Sequence, residues 1–204
     1  MKNLLLFATL FVLCPLCKGQ GLFLYGELGG GGGTHSGVKA ELNGIINSKH
    51  IISLSYAFYD KTAGSTPADF EEPFTVIGSG MPGIGVSMAA LCYGRMINLP
   101  TPYVRLALKG GLALGTIQYP DNFRPRPVSK GMFSFSNQNY DFDYVVEDHL
   151  GIVLNPSVEF PLTRHFGFNV GLYSNINRRS SVFALEGGIL FGKLRNRKSI
   201  NRSL

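Results

Sequence analysis

The sequence predicts an all-β protein, an eight-stranded antiparallel up-and-down transmembrane β-barrel. Three observations predict it: a secretory leader, eight segments that alternate apolar with small or polar residues, and a charged fraction of only 16%, where soluble domains carry ~25%. Beyond the leader, no continuous apolar stretch reaches the ~20 residues of a transmembrane helix. Strands remain as membrane-crossing elements, because each strand needs only one apolar face.

The N-terminus has the layout of a secretory signal peptide. Lys2 gives a positive start, residues 4–17 form an apolar run, and small residues stand at positions −3 and −1 of a cut before Gln20. The run is too short for a transmembrane helix, which argues against a retained anchor. The sequence therefore predicts that residues 1–19 are a cleaved signal peptide.

The cysteines argue against lipid modification of the exported chain and against an intramolecular disulfide. A lipid-modified cysteine normally follows a small residue, whereas leucines precede Cys14 and Cys17. After cleavage only Cys92 remains, so no intramolecular disulfide is expected. We interpret the Cys92 thiol as a packed apolar group rather than a nucleophile.

Eight segments after the leader are predicted as strands. In chain order they are about 21–30, 38–43, 52–58, about 84–97, 104–115, 150–160, 166–173 and 183–191. Apolar residues occupy the even positions of the second, third, fifth, sixth and seventh segments, and the odd positions of the eighth. Such alternation places one face of a strand in apolar surroundings and leaves the other face out of them.

The lengths of the connections indicate which end of the barrel faces the periplasm and which faces outward. Three turns are short (47–49, 98–101 and 162–165), and the two longest loops (60–83 and 120–143) both fall on the opposite side. The loops 31–36 and 178–179 on that side are brief. Outer-membrane barrels have short periplasmic turns and longer outer loops, and an even strand count returns both termini to the periplasm.

The polar face decides between a soluble barrel and a membrane barrel. A soluble exterior carries roughly 25–35% charged residues, whereas this face is mainly Gly, Ser, Ala and Asn. Its charged residues are Glu27, Lys39, Glu41, Arg95, Arg105, Lys109, Glu159 and Glu186. An eight-stranded barrel has room inside for side chains only, so we interpret these eight as a paired structural network in a filled lumen. An ion pathway is the alternative.

Aromatic residues near the strand ends fit the interfacial girdles of membrane barrels. The residues assigned to these girdles are Tyr25, Tyr59, Tyr103, Tyr119, Phe166 and Phe191.

The last third of the chain carries a resemblance to a known group of proteins. The segments are 154–161 (Leu-Asn-Pro-Ser-Val-Glu-Phe-Pro), Phe166-Gly167, 175–177 (Asn-Ile-Asn) and 187–192 (Gly-Gly-Ile-Leu-Phe-Gly). The chain resembles small outer-membrane β-barrel-domain proteins, the superfamily of the outer-membrane protein A-like transmembrane domain. The resemblance implies a barrel over residues 20–192 in the bacterial outer membrane, with outer-membrane lipid and the barrel-assembly machinery as partners. Pro156, inside a predicted strand, predicts a bulge or kink there.

The sequence shows no pattern of catalytic or metal-binding residues. His35, His50, His149 and His165 are scattered without a metal-ligand spacing, so no metal and no cofactor are expected. His149 and Ser157 share a parity but lie about 26 Å apart along a strand, too far for a nucleophile and its base. The run 29–33 of five glycines lacks the Gly-Lys-Ser/Thr of a phosphate loop and is interpreted as a flexible hairpin tip.

Two segments suggest contacts outside the membrane. The loop 120–143 combines aromatic and basic residues that are typical of interface centres and of phosphate contacts with lipopolysaccharide; the contact candidates are Phe123, Arg124, Arg126, Lys130, Phe133 and Phe135. A loop folded over the barrel mouth is the alternative. Residues 193–204 form a basic C-terminal tail that we interpret as solvated, and an exported chain is not expected to bind nucleic acid.

These observations predict a non-enzymatic outer-membrane protein with a structural or surface-interaction role in the cell envelope. The first alternative is a conduit for small solutes or hydrophobic ligands. The second alternative is a membrane-embedded enzyme that modifies lipids. The sequence does not identify an extracellular ligand.

Overall fold

A computed structural model describes residues 22–71, 81–101, 103–127 and 139–195 of the chain. Eight antiparallel strands form a closed barrel in which each strand pairs with its sequence neighbours and the first pairs with the last. The strands are β1 (Phe23–Gly33), β2 (Ser36–Ile46), β3 (His50–Thr62), β4 (Gly83–Asn98), β5 (Arg105–Pro125), β6 (Tyr140–Phe160), β7 (Phe166–Asn177) and β8 (Val182–Gly192). The predicted up-and-down barrel is confirmed, while the predicted leader, residues 1–19, lies outside the described residues.

The apolar residues, which alternate with small or polar residues along each strand, point outward; we call the two alternating sets the outward and the inward parity. Phe58, Leu112 and Ile152 are 44%, 59% and 54% exposed, whereas Ser53, Ser55 and Ala57 of the opposite parity are buried. Exposed leucine and phenylalanine side chains all around a closed barrel are suited to contact with the hydrocarbon of a bilayer. Among the residues that the structure describes, no helix has the length and apolarity that crossing a membrane requires.

Small residues on the inward parity let eight strands curve tightly. A Cβ atom added at Gly94 would collide with the carbonyl oxygen of Leu108, and one added at Gly111 would collide with the carbonyl oxygen of Leu91. These collisions are with backbone of the neighbouring strand, so side-chain movement cannot relieve them. Glycine is therefore required where the inner wall is most crowded.

The two longest strands extend into the predicted loop 120–143. β5 and β6 are each 21 residues long, about twice the ~9–11 residues that cross a membrane. The start of β6 alternates aromatic with acidic residues as far as Tyr144 and continues with Val145 and Val146, a composition of aromatic and β-branched residues that favours strand. A register shift between Asp121 and Arg124 marks a bulge in the projecting part.

The glycine run 29–33 is strand and not a flexible tip. Its residues pair with β8 as far as Gly33, opposite Ala184, and as far as Gly31 with β2. The prediction of a hairpin tip was wrong because pairing on both sides of β1 supplies the order that glycine by itself lacks. The tip is shorter, at Thr34 and His35.

Pro156 interrupts a ladder without changing its register. The pairs Leu154–Ser174 and Ser157–Gly171 on either side of it keep the same register, so the predicted bulge is absent from this strand pair. Leu172 lies opposite Pro156 in that register, and its carbonyl accepts a hydrogen bond from Asn155 Nδ2 at 3.0 Å. The Asn155 amide thus supplies a donor where proline has no N–H.

Candidate functional site: the charged lumen and the projecting hairpin

The upper layer of the lumen is a five-residue charge cluster centred on Lys39. Its Nζ lies 3.1 Å from Glu27 Oε1, 3.1 Å from Glu41 Oε2 and 2.7 Å from Glu186 Oε2. Lys109 Nζ lies 2.5 Å from Glu41 Oε1 and 3.8 Å from Glu27 Oε2. At most 5% of any of these side chains is exposed. Burial this complete means that each charge depends on its neighbours for stabilisation.

The lower layer is a buried ion pair between Arg105 and Glu159. Arg105 donates from Nε to Glu159 Oε2 at 2.7 Å, and from Nη1 to the carbonyl of Leu194 at 2.9 Å. The hydroxyl of Tyr25 donates to the other carboxylate oxygen of Glu159 at 2.8 Å, and the guanidinium carbon lies 5.2 Å from the centre of the Tyr25 ring. This arrangement lies inside the barrel near its short-turn end, where Arg105 lines an end cavity together with Phe23 and Leu194.

Two tyrosines assigned from the sequence to the interfacial girdles lie inside the barrel. Tyr25 contacts the lower layer, and Tyr59 donates a hydrogen bond to Glu186 and stacks on Tyr173 with ring centres 5.3 Å apart. The girdle assignment was wrong for these two residues. Their positions along the strands would have corrected the assignment. Tyr25 is two residues from the inward Glu27, and Tyr59 is an even number of residues from the inward Ser and Ala residues of β3. Tyr103, Phe166 and Phe191 are exposed as expected for girdle residues.

Arg95 is not part of the lumen network. Cys92 and Met96 of β4 are buried, while Tyr93, Arg95 and Ile97 are exposed on the outward parity. Arg95 lies opposite His50 of β3, close to the short-turn end, where a cation can reach water. The prediction placed it inside because the strand was read with the wrong parity. The other seven predicted lumen residues are all buried in the two layers described above.

The projecting part of β5 and β6 has its own aromatic cluster. Phe123 packs against Phe142 with ring centres 5.4 Å apart, and Phe142 packs edge-on against Tyr144 at 5.3 Å. Phe70, from the β3–β4 connection, stacks on Tyr140 at 6.3 Å. A cluster of this kind orders a hairpin outside the barrel, since aromatic pairs contribute ~0.5–1.5 kcal/mol beyond area burial.

The β3–β4 connection is hydrogen-bonded to the same hairpin. Asn139 Oδ1 accepts from the backbone N–H of Glu71 at 2.8 Å, and Asn139 Nδ2 donates to the carbonyl of Asp69 at 2.5 Å. The Tyr140 hydroxyl donates to the Asp69 carboxylate at 2.9 Å. We call this set of contacts the clasp. The residues are about 70 positions apart, and sequence patterns carry no signal for such pairing.

Three of the six predicted contact residues lie on the described hairpin. Arg124 pairs with Asp143 and Arg126 pairs with Asp141, both at 3.4 Å and both exposed, while Phe123 belongs to the aromatic cluster. Lys130, Phe133 and Phe135 lie outside the described residues. The two arginines are therefore partly neutralised by aspartates of the same hairpin, which weakens their attraction for phosphate.

A buried histidine and serine meet between the two shortest outer connections. His35 Nε2 lies 3.1 Å from Ser180 Oγ, and His35 Nδ1 lies 3.0 Å from Thr34 Oγ1. Burial, together with the nearby Lys61, lowers the pKa of His35 to about 4, so the ring is neutral at pH 7. Sequence reasoning missed this pair because the residues are 145 positions apart. Nδ1 faces a hydroxyl rather than a carboxylate, so the ring lacks the acidic partner of a catalytic triad.

The described ranges contain no group of three or more His, Cys, Asp or Glu side chains that could hold a metal ion. His149 and Ser157 lie on one strand, β6, as the sequence predicted, with the spacing that separates them.

Comparison with solved structures gives the class of protein to which this fold belongs. The N-terminal β-barrel domain of Pseudomonas aeruginosa OprF matches with a TM-score of 0.53 and 12% identity, covering 84% of this chain and 97% of that one. A major outer membrane protein from Thermus thermophilus matches with a TM-score of 0.58 and 12% identity over 83% and 98%. Neisserial surface protein A matches with a TM-score of 0.50 and 10% identity over 84% and 95%. The chain therefore has the fold of small outer-membrane β-barrels, as its sequence resemblance implied.

No protein-family model matches the chain, and no curated protein sequence matches it. At 10–12% identity the solved structures define the fold and leave the activity to be argued from the residues.

Proposed function

We propose that the chain is a bacterial outer-membrane protein, exported through a cleaved signal peptide, that acts without catalysis. Its filled barrel anchors the β5–β6 hairpin, with the clasped β3–β4 connection, as a surface for contact outside the cell. Lipid of the outer membrane surrounds the barrel wall, and the barrel-assembly machinery is its partner during biogenesis.

The observation that carries this proposal is the ordered projection of the hairpin. β5 and β6 continue about ten residues beyond what a membrane crossing needs, with an aromatic cluster and the clasp to hold them. A chain whose only task was to span the membrane would have no use for this extra ordered surface. Tyr144, 46% exposed, and the edges of the cluster offer the aromatic area typical of interface centres.

The lumen supports an anchoring role over the conduit alternative. The Lys39 cluster and the Arg105–Glu159 pair both lie across the axis of a barrel that has room for side chains only. Opening a path would separate buried opposite charges, which costs several kcal/mol for each pair.

Contact through lipopolysaccharide phosphates receives less support than contact through the aromatic surface. Phosphate would have to compete with Asp143 for Arg124 and with Asp141 for Arg126. The extracellular ligand is therefore expected to engage the aromatic side chains first.

Adhesion of intact cells tests the proposal. Cells that display the full chain are compared with cells that display Phe123→Ser/Phe142→Ser, on bare glass and on plates coated with serum proteins. Lys61→Gln is the control, because it changes a half-buried side chain at the same end outside the aromatic cluster. Loss of adhesion in the double variant alone supports the proposal. Equal adhesion of all three, with equal surface display, contradicts it.

A further inference from the structure

The charges at the two ends of the barrel differ in sign. At the short-turn end, the charged side chains near the surface among the described residues are basic: Lys49, Arg95, Arg164, Lys193 and Arg195, which we call the basic rim. Glu159 is the acidic residue nearest to this end in the described ranges, and it is buried against Arg105. At the opposite end acidic residues predominate: Asp60, Asp69, Glu71, Asp121, Asp141, Asp143, Glu147 and Asp148 accompany Lys61, Arg124, Arg126, Arg178 and Arg179.

One side of the basic rim is built from two chain segments held together. The N–H of Gly192 donates to the carbonyl of His165 at 3.0 Å, and the N–H of Leu194 donates to the carbonyl of Arg164 at 2.8 Å. Leu194 is buried, so the segment 192–194, which we call the strap, is fixed to the barrel end. The first residues of the predicted solvated tail, 193–195, therefore belong to the packed rim, and the strap places Lys193 beside Arg164.

Aromatic rings contact two of these cations at the barrel edge. Lys193 Nζ lies 5.0 Å from the centre of the Phe23 ring, and the guanidinium carbon of Arg195 lies 4.8 Å from that of Tyr103. Across the rim, Arg95 lies opposite His50, which stacks on the exposed ring of Tyr93. Phe23 is a buried, inward ring, so Lys193 lies at the edge of the barrel mouth. Tyr103 and Tyr93 are exposed, and cations beside outward aromatic rings occupy the level at which lipid headgroups meet water.

We propose that the basic rim binds the phosphate groups of anionic phospholipids in the leaflet that faces the short turns. Lipid is the favoured source of phosphate because Arg95 projects from the outward, lipid-facing parity of β4, between exposed Tyr93 and Ile97. A soluble polyanion could reach the strap but would have to displace lipid to reach Arg95. The proposal rests on the membrane placement in the proposed function, and it is independent of what the hairpin contacts.

Spin-labelled lipids measure this selectivity directly. The full chain is reconstituted into phosphatidylcholine vesicles, and the fraction of immobilised label is compared for phosphatidylglycerol and phosphatidylcholine probes. We expect the unmodified chain to prefer phosphatidylglycerol by about threefold or more, and we expect about 1 M salt to reduce this preference. Arg95→Gln/Arg164→Gln/Lys193→Gln should abolish the preference. The charge-matched control Lys61→Gln/Arg178→Gln/Arg179→Gln should keep it.

Three results would overturn the proposal: no preference in the unmodified chain, an unchanged preference in the rim variant, or an equal loss in both variants. The last result would assign the effect to net charge rather than to the rim. Heat-modifiable migration in gels checks folding, and if the triple variant does not fold, Arg164→Gln and Lys193→Gln are tested singly, each with a partial loss expected. Loss of adhesion with retained lipid preference would leave this inference standing, so the two proposals fail separately.

Discussion

The ammonium of Lys39 lies 2.7 Å from the carboxylate of Glu186, and the two side chains are 1% and 5% exposed. These residues come from β2 and β8, the strands on either side of β1. Their contact passes over the inner face of β1 and joins the first part of the barrel to the last.

Replacing Lys39 with Met should destabilise the barrel strongly. The variant leaves Glu27, Glu41 and Glu186 in one buried layer with Lys109 as the remaining cation, and removing one partner of a buried pair costs about 3–5 kcal/mol. Unfolding by urea in phospholipid vesicles measures the loss. Lys39→Met/Glu186→Gln should recover part of it, and a single variant as stable as the unmodified chain would contradict the network.

The unmodified barrel should not form steady channels in planar bilayers. Both charged layers cross an axis that is already narrow, and Tyr59 and Tyr173 are stacked beside the upper layer. Tyr59→Ala/Tyr173→Ala should raise the frequency of current steps if these rings help to fill the lumen. Persistent conductance of the unmodified chain would favour the conduit alternative.

Acidification should weaken the contact between the tips at His35 and Ser180. The folded state holds the pKa of His35 at about 4, below the ~6.5 of an unfolded chain. As pH falls from about 6.5 to 4, the unfolded state binds a proton that the folded state does not, so stability is lost across this window, by at most about 3 kcal/mol. Hydrogen exchange at the Thr34 N–H, which donates to Phe183 O, measures the opening. Identical pH dependence in His35→Asn would contradict this assignment.

Removing the Asn139 side chain should release the β3–β4 connection from the hairpin. The clasp loses the acceptor for the Glu71 N–H and the donor for the Asp69 carbonyl, each contributing about 1 kcal/mol. We expect faster hydrogen exchange at Glu71 in Asn139→Ala, with strands β1 and β8 unaffected. Asn122→Gly, which removes an exposed contact to Asp143 in the same hairpin and tolerates the positive φ of this residue, is the control. Equal exchange in both variants would mean that the clasp does not hold the connection.

Much of the candidate site could be predicted because lumen residues follow strand parity. Glu27, Lys39, Glu41, Arg105, Lys109, Glu159 and Glu186 were all assigned inward by counting from the apolar positions, and all are buried. The inward prediction for Arg95 was wrong because the inward and outward positions of β4 were exchanged. The girdle predictions for Tyr25 and Tyr59 were wrong because tyrosine is common at interfaces, and this residue type was given more weight than the position along the strand.

The sequence by itself determined the fold class and which face of most strands points outward, because alternation has a period of two residues and is a local property of each strand. Only the tertiary structure decided that Lys39 contacts Glu186, that Asn139 holds the β3–β4 connection, and that His35 meets Ser180. Those contacts depend on register, barrel closure and the length of the projecting strands. Each is set by the sum of many pairings around the ring, so no single segment of the chain encodes it.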